Sequence, residues 1–141
     1  MRVSGFSFVR DAVRLHYPAA ESIRSILPIV DEFVVAVGRG EDGTADRIRQ
    51  IGDPKVRLIE TDWDPELFVH GAINSQQSNL ALDACTGDWA IYLQADEVIH
   101  EADHPAILRA IEAADGDPRV EGLLFRYLHF WGDFDHIHWT R

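Results

Sequence analysis

Asp96 and Glu97 stand side by side in residues 94–97, Gln-Ala-Asp-Glu, directly after the apolar run Trp89, Ala90, Ile91, Tyr92 and Leu93. Carboxylates are the hard oxygen ligands that Mg²⁺ and Mn²⁺ prefer. Those ions often take only one or two of them, with phosphate oxygens and water completing the shell. A cation held there would neutralise a diphosphate and make it a better leaving group. The bland alternative is a polar turn at the end of a strand. A second cluster lies near the C-terminus, where His129, His136 and His138 accompany Asp133 and Asp135. His-x-His on a strand puts both imidazoles on one face, which suits zinc, but no third and fourth ligand has a recognisable spacing.

Weaker candidates flank these. Arg10 and Asp11 follow an apolar run, and Asp11 could bond a base or ribose or simply face solvent. His70-Gly71 opens a helix and could belong to a mobile loop over a ligand. Trp63 and Phe68 are either a sugar platform or loop anchors, and anchoring is the simpler reading.

These residues need elements to hold them. Residues 3–9 form a β-like run, and residues 32–37, wholly apolar and β-branched, suit a strand covered on both faces. Residues 56–60 suit a third strand, 89–94 a fourth, and 120–131 a long further one. Between them lie helical patterns. Pro18 can open the first, with Ile23, Ile26, Leu27 and Val30 at helical spacing. Ala45, Ile48 and Ile51 mark the second, capped by Thr44. A third, over 72–85, should bury Leu80, Ala81 and Ala84, and Ile107, Ala110, Ile111 and Ala114 mark a fourth. Alternation of strand and helix means an α/β fold with a mostly parallel central sheet and helices on both faces. Ligands in such sheets bind beyond the C-terminal strand ends. Residues 10–11, 38–44 and 94–97 fall there.

A length of 141 residues suits one domain. The net charge of −11 disfavours nucleic acid as a partner. Cys85 stands alone, so no internal disulfide forms and a reducing cytoplasm fits. No apolar run is long enough for a membrane span, and residues 1–13 do not resemble a signal peptide.

Residues 78–97, SNLALDACTGDWAIYLQADE, resemble the donor-site stretch of family 2 glycosyltransferases. Asn79, Gly87, Asp88, Gln94, Asp96 and Glu97 fall at that family's spacings. Upstream, Asp42-Gly43-Thr44 looks like its Asp-Gly-Thr turn, and residues 4–12 look like its first strand. The chain departs from the pattern in three places. Gln94 replaces the first acid of Asp-x-Asp. Val37 and Gly38 stand where an acid contacts the base. Ser78 stands where an Arg often precedes the helix Asn.

The resemblance implies a three-layer, Rossmann-like GT-A fold across residues 1–141, ending before the acceptor-binding half. It implies a nucleotide-diphospho-sugar donor, an acceptor of unknown kind and a divalent cation, Mn²⁺ or Mg²⁺. Donor-binding roles then fall to Ser7, Arg10, Asp42, Asn79, Gln94 and Asp96, and metal-binding roles to Asp96 and Glu97. No residue matches the family's catalytic base. The implied activity is glycosyl transfer. The alternatives are a non-catalytic nucleotide- or sugar-binding module and a histidine-based metal-binding domain.

Overall fold

The computed structural model describes residues 1–138. They fall into two compact units, Met1–Leu108 and a second that begins at Arg109. The first contains strand β1 (Val3–Val9), helix α1 (Ala19–Ile26), β2 (Glu32–Gly38), α2 (Thr44–Arg49), β3 (Val56–Thr61), α3 (Ala72–Asp83) and β4 (Trp89–Tyr92). Helix α4 (His104–Ala114) begins in this unit and ends in the next.

The four strands form one parallel sheet in the order β3-β2-β1-β4. The chain steps from β1 to β2 to β3 on one side, then returns across the sheet to place β4 on the other side of β1. Parallel crossovers are right-handed, so the two directions of travel put α1 and α2 on one face and α3 on the opposite one. Packing agrees. Arg47 of α2 reaches Glu21 of α1 at 3.2 Å. Ala81 of α3 joins Phe6, Val34 and Ala36 in a buried cluster, with Phe8, Ile59, Ala84 and Cys85 at its margin. This is an α/β, Rossmann-like fold, with an all-parallel central sheet and flanking helices.

β2 is the centre of the core. Phe33, Val34, Val35, Ala36 and Val37 are almost wholly buried on both faces. Burying each of the larger side chains stabilises the fold by about 1.5–3 kcal/mol. β4 differs from the expected buried strand. It pairs only with β1 and is an edge, so Ile91 and Leu93 are buried while Tyr92 between them is exposed.

The helices follow the expected order with local corrections. α1 stops at Ile26 and continues as a short 3-10 turn, Leu27–Ile29, because Pro28 cannot supply an α-helical N–H. Thr44 is not the cap of α2. Gly43 holds that place, and the Asp42 carboxylate accepts from Thr44 N at 3.0 Å and Thr44 Oγ1 at 2.7 Å. On α3 the buried stripe is Ile73, Gln77 and Ala81, four residues apart, and Leu80 lies beside it, exposed. Gln77 is fully buried because its Oε1 accepts from Thr61 Oγ1 at 2.5 Å, linking α3 to β3.

In the second unit the long strand expected over 120–131 does not form. Only Phe130–Trp131 (β5) is a strand, paired antiparallel with Asp133–Ile137 (β6) around Gly132. Residues 120–129 have no partner strand, and apolar composition alone cannot satisfy an extended backbone. Leu124, Tyr127, Leu128 and Trp131 are exposed.

Candidate functional site

The reversal of strand order falls between β1 and β4, the topological switch point at which open α/β sheets bind ligands. A cleft of about 650 Å³ opens there. Its walls come from the C-terminal ends of β1 and β4, the loop after β3 and the first turn of α3. Of the residues picked out from the sequence, Arg10, Asp11, Trp63, Phe68, Gln94 and Asp96 line it.

β1 ends in a strained turn. Asp11 adopts a left-handed conformation, φ 55°, which a short polar side chain tolerates. That turn aims its carboxylate at two guanidiniums, Arg14 at 2.6 Å and Arg10 at 3.6 Å. Two positive charges are thereby fixed on one wall of the cleft.

β4 ends in a closed turn. Glu97 Oε2 accepts from Gln94 N, and Glu97 N donates to Gln94 O, both at 3.0 Å. Ser22 Oγ of α1 also donates to Gln94 O, at 2.9 Å. The Glu97 carboxylate therefore braces the turn and does not line the cleft. Asp96, at the crown of that turn, is exposed, lines the cleft and takes no hydrogen bond or salt bridge among the described residues. Its charge, with that of Glu97, helps hold the Tyr92 phenol above its ordinary range, burial being the larger cause.

The third wall is aromatic. Phe8 meets Tyr92 and Trp63 with ring centres 6.4 and 6.1 Å apart, and Trp63 meets Phe68 at 6.0 Å. The Arg10 guanidinium lies over the Trp63 ring, 5.7 Å from its centre. Trp63 Nε1 and Arg10 Nε are buried and donate no hydrogen bond among the described residues, Arg10 Nε lying 3.6 Å from the Asp11 carboxylate.

Other candidate residues lie elsewhere. Ser7 is buried within β1, where its hydroxyl reaches only the Phe8 carbonyl at 3.5 Å. Asp42 binds backbone: besides its bonds to Thr44 it accepts from Arg14 N at 3.0 Å. Burial pushes the Asp42 carboxyl up, but those bonds outweigh it and hold it below the ordinary range. Asn79 is exposed on α3, and Asn74, in the first turn of that helix, lines the cleft instead. Sequence reading passed over Asn74 and Tyr92. The strand-end rule and the α3 start were the signals that could have found them.

A single free carboxylate in a cleft suits a divalent ion that is completed by a ligand's phosphates and water. Asp96 fits that role. No group of three histidine, cysteine or acidic side chains gathers as a metal cage among the described residues. In the second unit, His136 Nδ1 bonds Asp133 at 2.6 Å while the His138 ring packs on Trp131, 5.8 Å between centres. Trp139, at the edge of that cluster, lies outside the described residues.

No protein-family model and no curated protein sequence matches the chain. Solved structures do. The crystal structure of S. aureus TarS 1-349 superposes with a TM-score of 0.61 at 16% identity, over 80% of this chain and 33% of that one. A second S. aureus TarS structure gives 0.57 at 18% identity, over 80% of this chain and 20% of the other. The chain thus spans a third or less of these structures. TarS is a glycosyltransferase, and what the two proteins share, at this level of identity, is the fold.

Proposed function

We propose that this chain is the donor-binding part of a GT-A glycosyltransferase resembling family 2, and that the cleft between β1 and β4 receives a nucleotide-diphospho-sugar. The observation that carries this reading is Asp96, a carboxylate with no ion pair or hydrogen bond among the described residues, lining a cleft at the switch point of the sheet that Arg10 and Arg14 also line. Arg10 and Arg14 supply charge for the diphosphate, and the Gln94 side chain is an uncharged hydrogen-bonding group for sugar or ribose. A divalent cation bound through Asp96 would offset the charge that develops as the diphosphate leaves.

In glycosyl transfer an acceptor hydroxyl attacks the anomeric carbon. The bond from that carbon to the diphosphate breaks, and a base takes the hydroxyl proton. Glu97, held by the Gln94 amide, and Glu101, exposed, are the acids that follow Asp96 most closely. Neither is poised as that base. This favours binding without transfer as the behaviour of these 141 residues by themselves.

The test is calorimetry with a nucleoside diphosphate and Mn²⁺. Asp96→Asn should lose the metal-dependent part of binding while circular dichroism stays unchanged. Equal affinity in the variant would remove the metal assignment. Vigorous sugar transfer by this chain, abolished by Glu97→Gln, would show that the base lies within it.

A further inference from the structure

α1 carries two serines three positions apart, Ser22 and Ser25, which share one face of the helix. A serine inside a helix commonly turns its hydroxyl back to a carbonyl of its own preceding turn. Ser25 does so, donating to Ser22 O at 2.6 Å. Ser22, almost wholly buried, instead sends its hydroxyl out of the helix. It donates to Gln94 O at 2.9 Å, 72 positions away in the chain.

The same helix holds the rest of the segment between β4 and α4. Ser25 Oγ has its hydrogen committed to Ser22 O, and with a lone pair it accepts from Ile99 N at 3.1 Å. His104, the first residue of α4, meets Ser25 O at 2.8 Å, and because a carbonyl only accepts, Nε2 carries the hydrogen. Asp96 lies inside the segment so fastened. Its carboxylate takes no hydrogen bond among the described residues, so its place is set through the backbone of its turn. That turn closes through Glu97 N on Gln94 O at 3.0 Å, the same carbonyl that Ser22 holds. One atom, Gln94 O, thus joins the turn to the helix.

We propose that Ser22 is a positioning residue for Asp96, with Ser25 in support: α1 fixes the turn after β4 so that the carboxylate meets a divalent cation without reorganisation. This rests on the cation reading above. An ion is held tightly only when its ligand is itself held in place, and loss of a partner that orients a ligand commonly weakens metal affinity by about 10- to 100-fold. Ser22 acts through a backbone carbonyl, one step further from the ion, so the low end of that range applies.

Calorimetry of the whole chain with UDP and with GDP, each in Mn²⁺ and in chelator, tests it. Ser22→Ala should weaken binding in Mn²⁺ by about tenfold and leave binding in chelator unchanged. Combined with Asp96→Asn, it should add nothing to the loss from Asp96→Asn alone. Ser25→Ala should lower the Mn²⁺-dependent affinity in the same direction and, in the metal-free protein, speed amide exchange at Ile99. It carries the test if Ser22→Ala does not fold. Equal losses in Mn²⁺ and in chelator, a further loss in the Asp96→Asn background, or no loss at all would overturn the positioning role while leaving Asp96 as the cation's ligand. If Asp96→Asn itself keeps the full Mn²⁺-dependent affinity, or if neither nucleotide binds, both readings fall.

Discussion

The two ends of the parallel sheet are built on opposite terms. At the N-terminal end, beside the starts of β1 and β2, Glu32 is buried and fully served. It accepts from Ser4 Oγ at 2.8 Å, Thr86 N at 2.6 Å and Thr86 Oγ1 at 2.7 Å, with Arg57 at 3.5 Å. Gly87 N donates to the same Ser4 hydroxyl at 2.9 Å, and a β-carbon on Gly87 would stand 2.7 Å from Ser4 N. Burial pushes the Glu32 carboxyl up, but the Thr86 and Ser4 bonds and the Arg57 charge outweigh it and hold it below its ordinary range. At the C-terminal end, among the described residues, Asp96 is unpaired and two buried donors, Trp63 Nε1 and Arg10 Nε, lack hydrogen-bond acceptors. One end spends its polar groups on stability. The other leaves them available, as a binding site must.

The largest expected effect is at the satisfied end. Glu32→Ala strands the Ser4 and Thr86 donors and the Arg57 charge, and should lower stability by about 2–4 kcal/mol in urea unfolding. Nucleotide affinity of the folded fraction should be unchanged. The same carboxylate sets an acid limit. Its folded pKa lies below the ordinary 4.5, so its contribution is complete above that value and is lost as the pH falls below it. Unfolding curves of wild type and Glu32→Gln should therefore converge in acid.

Asp96→Asn is the converse. Mn²⁺-dependent nucleotide affinity should fall by about tenfold or more, a loss of about 1.4 kcal/mol or more, with the unfolding midpoint unmoved. Asp42→Ala should fall between the two. It removes the acceptor for Thr44 and for Arg14 N, and should cost about 1 kcal/mol in thermal unfolding, the scale of a lost helix cap. The smallest effect belongs to Arg39→Ala. Arg39 meets Asp62 at 2.6 Å, but both side chains are mostly exposed, and exposed pairs contribute little. The melting temperature should stay where it is. A clear drop there would show that the binding end also carries stability, and would break the contrast.

The alternation of apolar runs made the sheet legible, because β1 and β2 are apolar runs buried almost throughout and β3 is a half-buried one. Asp96 was legible for the same reason: topology places the end of β4 at the site whatever residue stands there. Other features depended on neighbours distant in sequence. Whether 120–131 forms a strand depends on an adjacent partner, and composition does not report one. Asn79 and Asn74 differ by little more than one helical turn, and only the pitch of α3 against the sheet decides that Asn74 lines the cleft. Trp63 read as a loop anchor, but its seat did not show: the indole packs against Gly38, 25 positions earlier in the chain by number. Asp42 resembled a ligand-binding acid, yet its lone pairs are consumed by local amides.

The bonds that fasten β4 span great lengths of chain. Arg2 N donates to Asp88 across 86 positions, and the Thr86–Glu32 bonds span 54. Such loops close late in folding, after the nearer pairings of β1, β2 and β3 are available. β4, one of the two edges of the sheet, is therefore expected to be the last strand to join it. Gln94 and Asp96 travel with it, so the cleft exists only once folding is complete. A molecule that touched Arg10 and Asp96 together would tie the first strand to the last. Its presence would register as slowed amide exchange in β4 well before any change in β2.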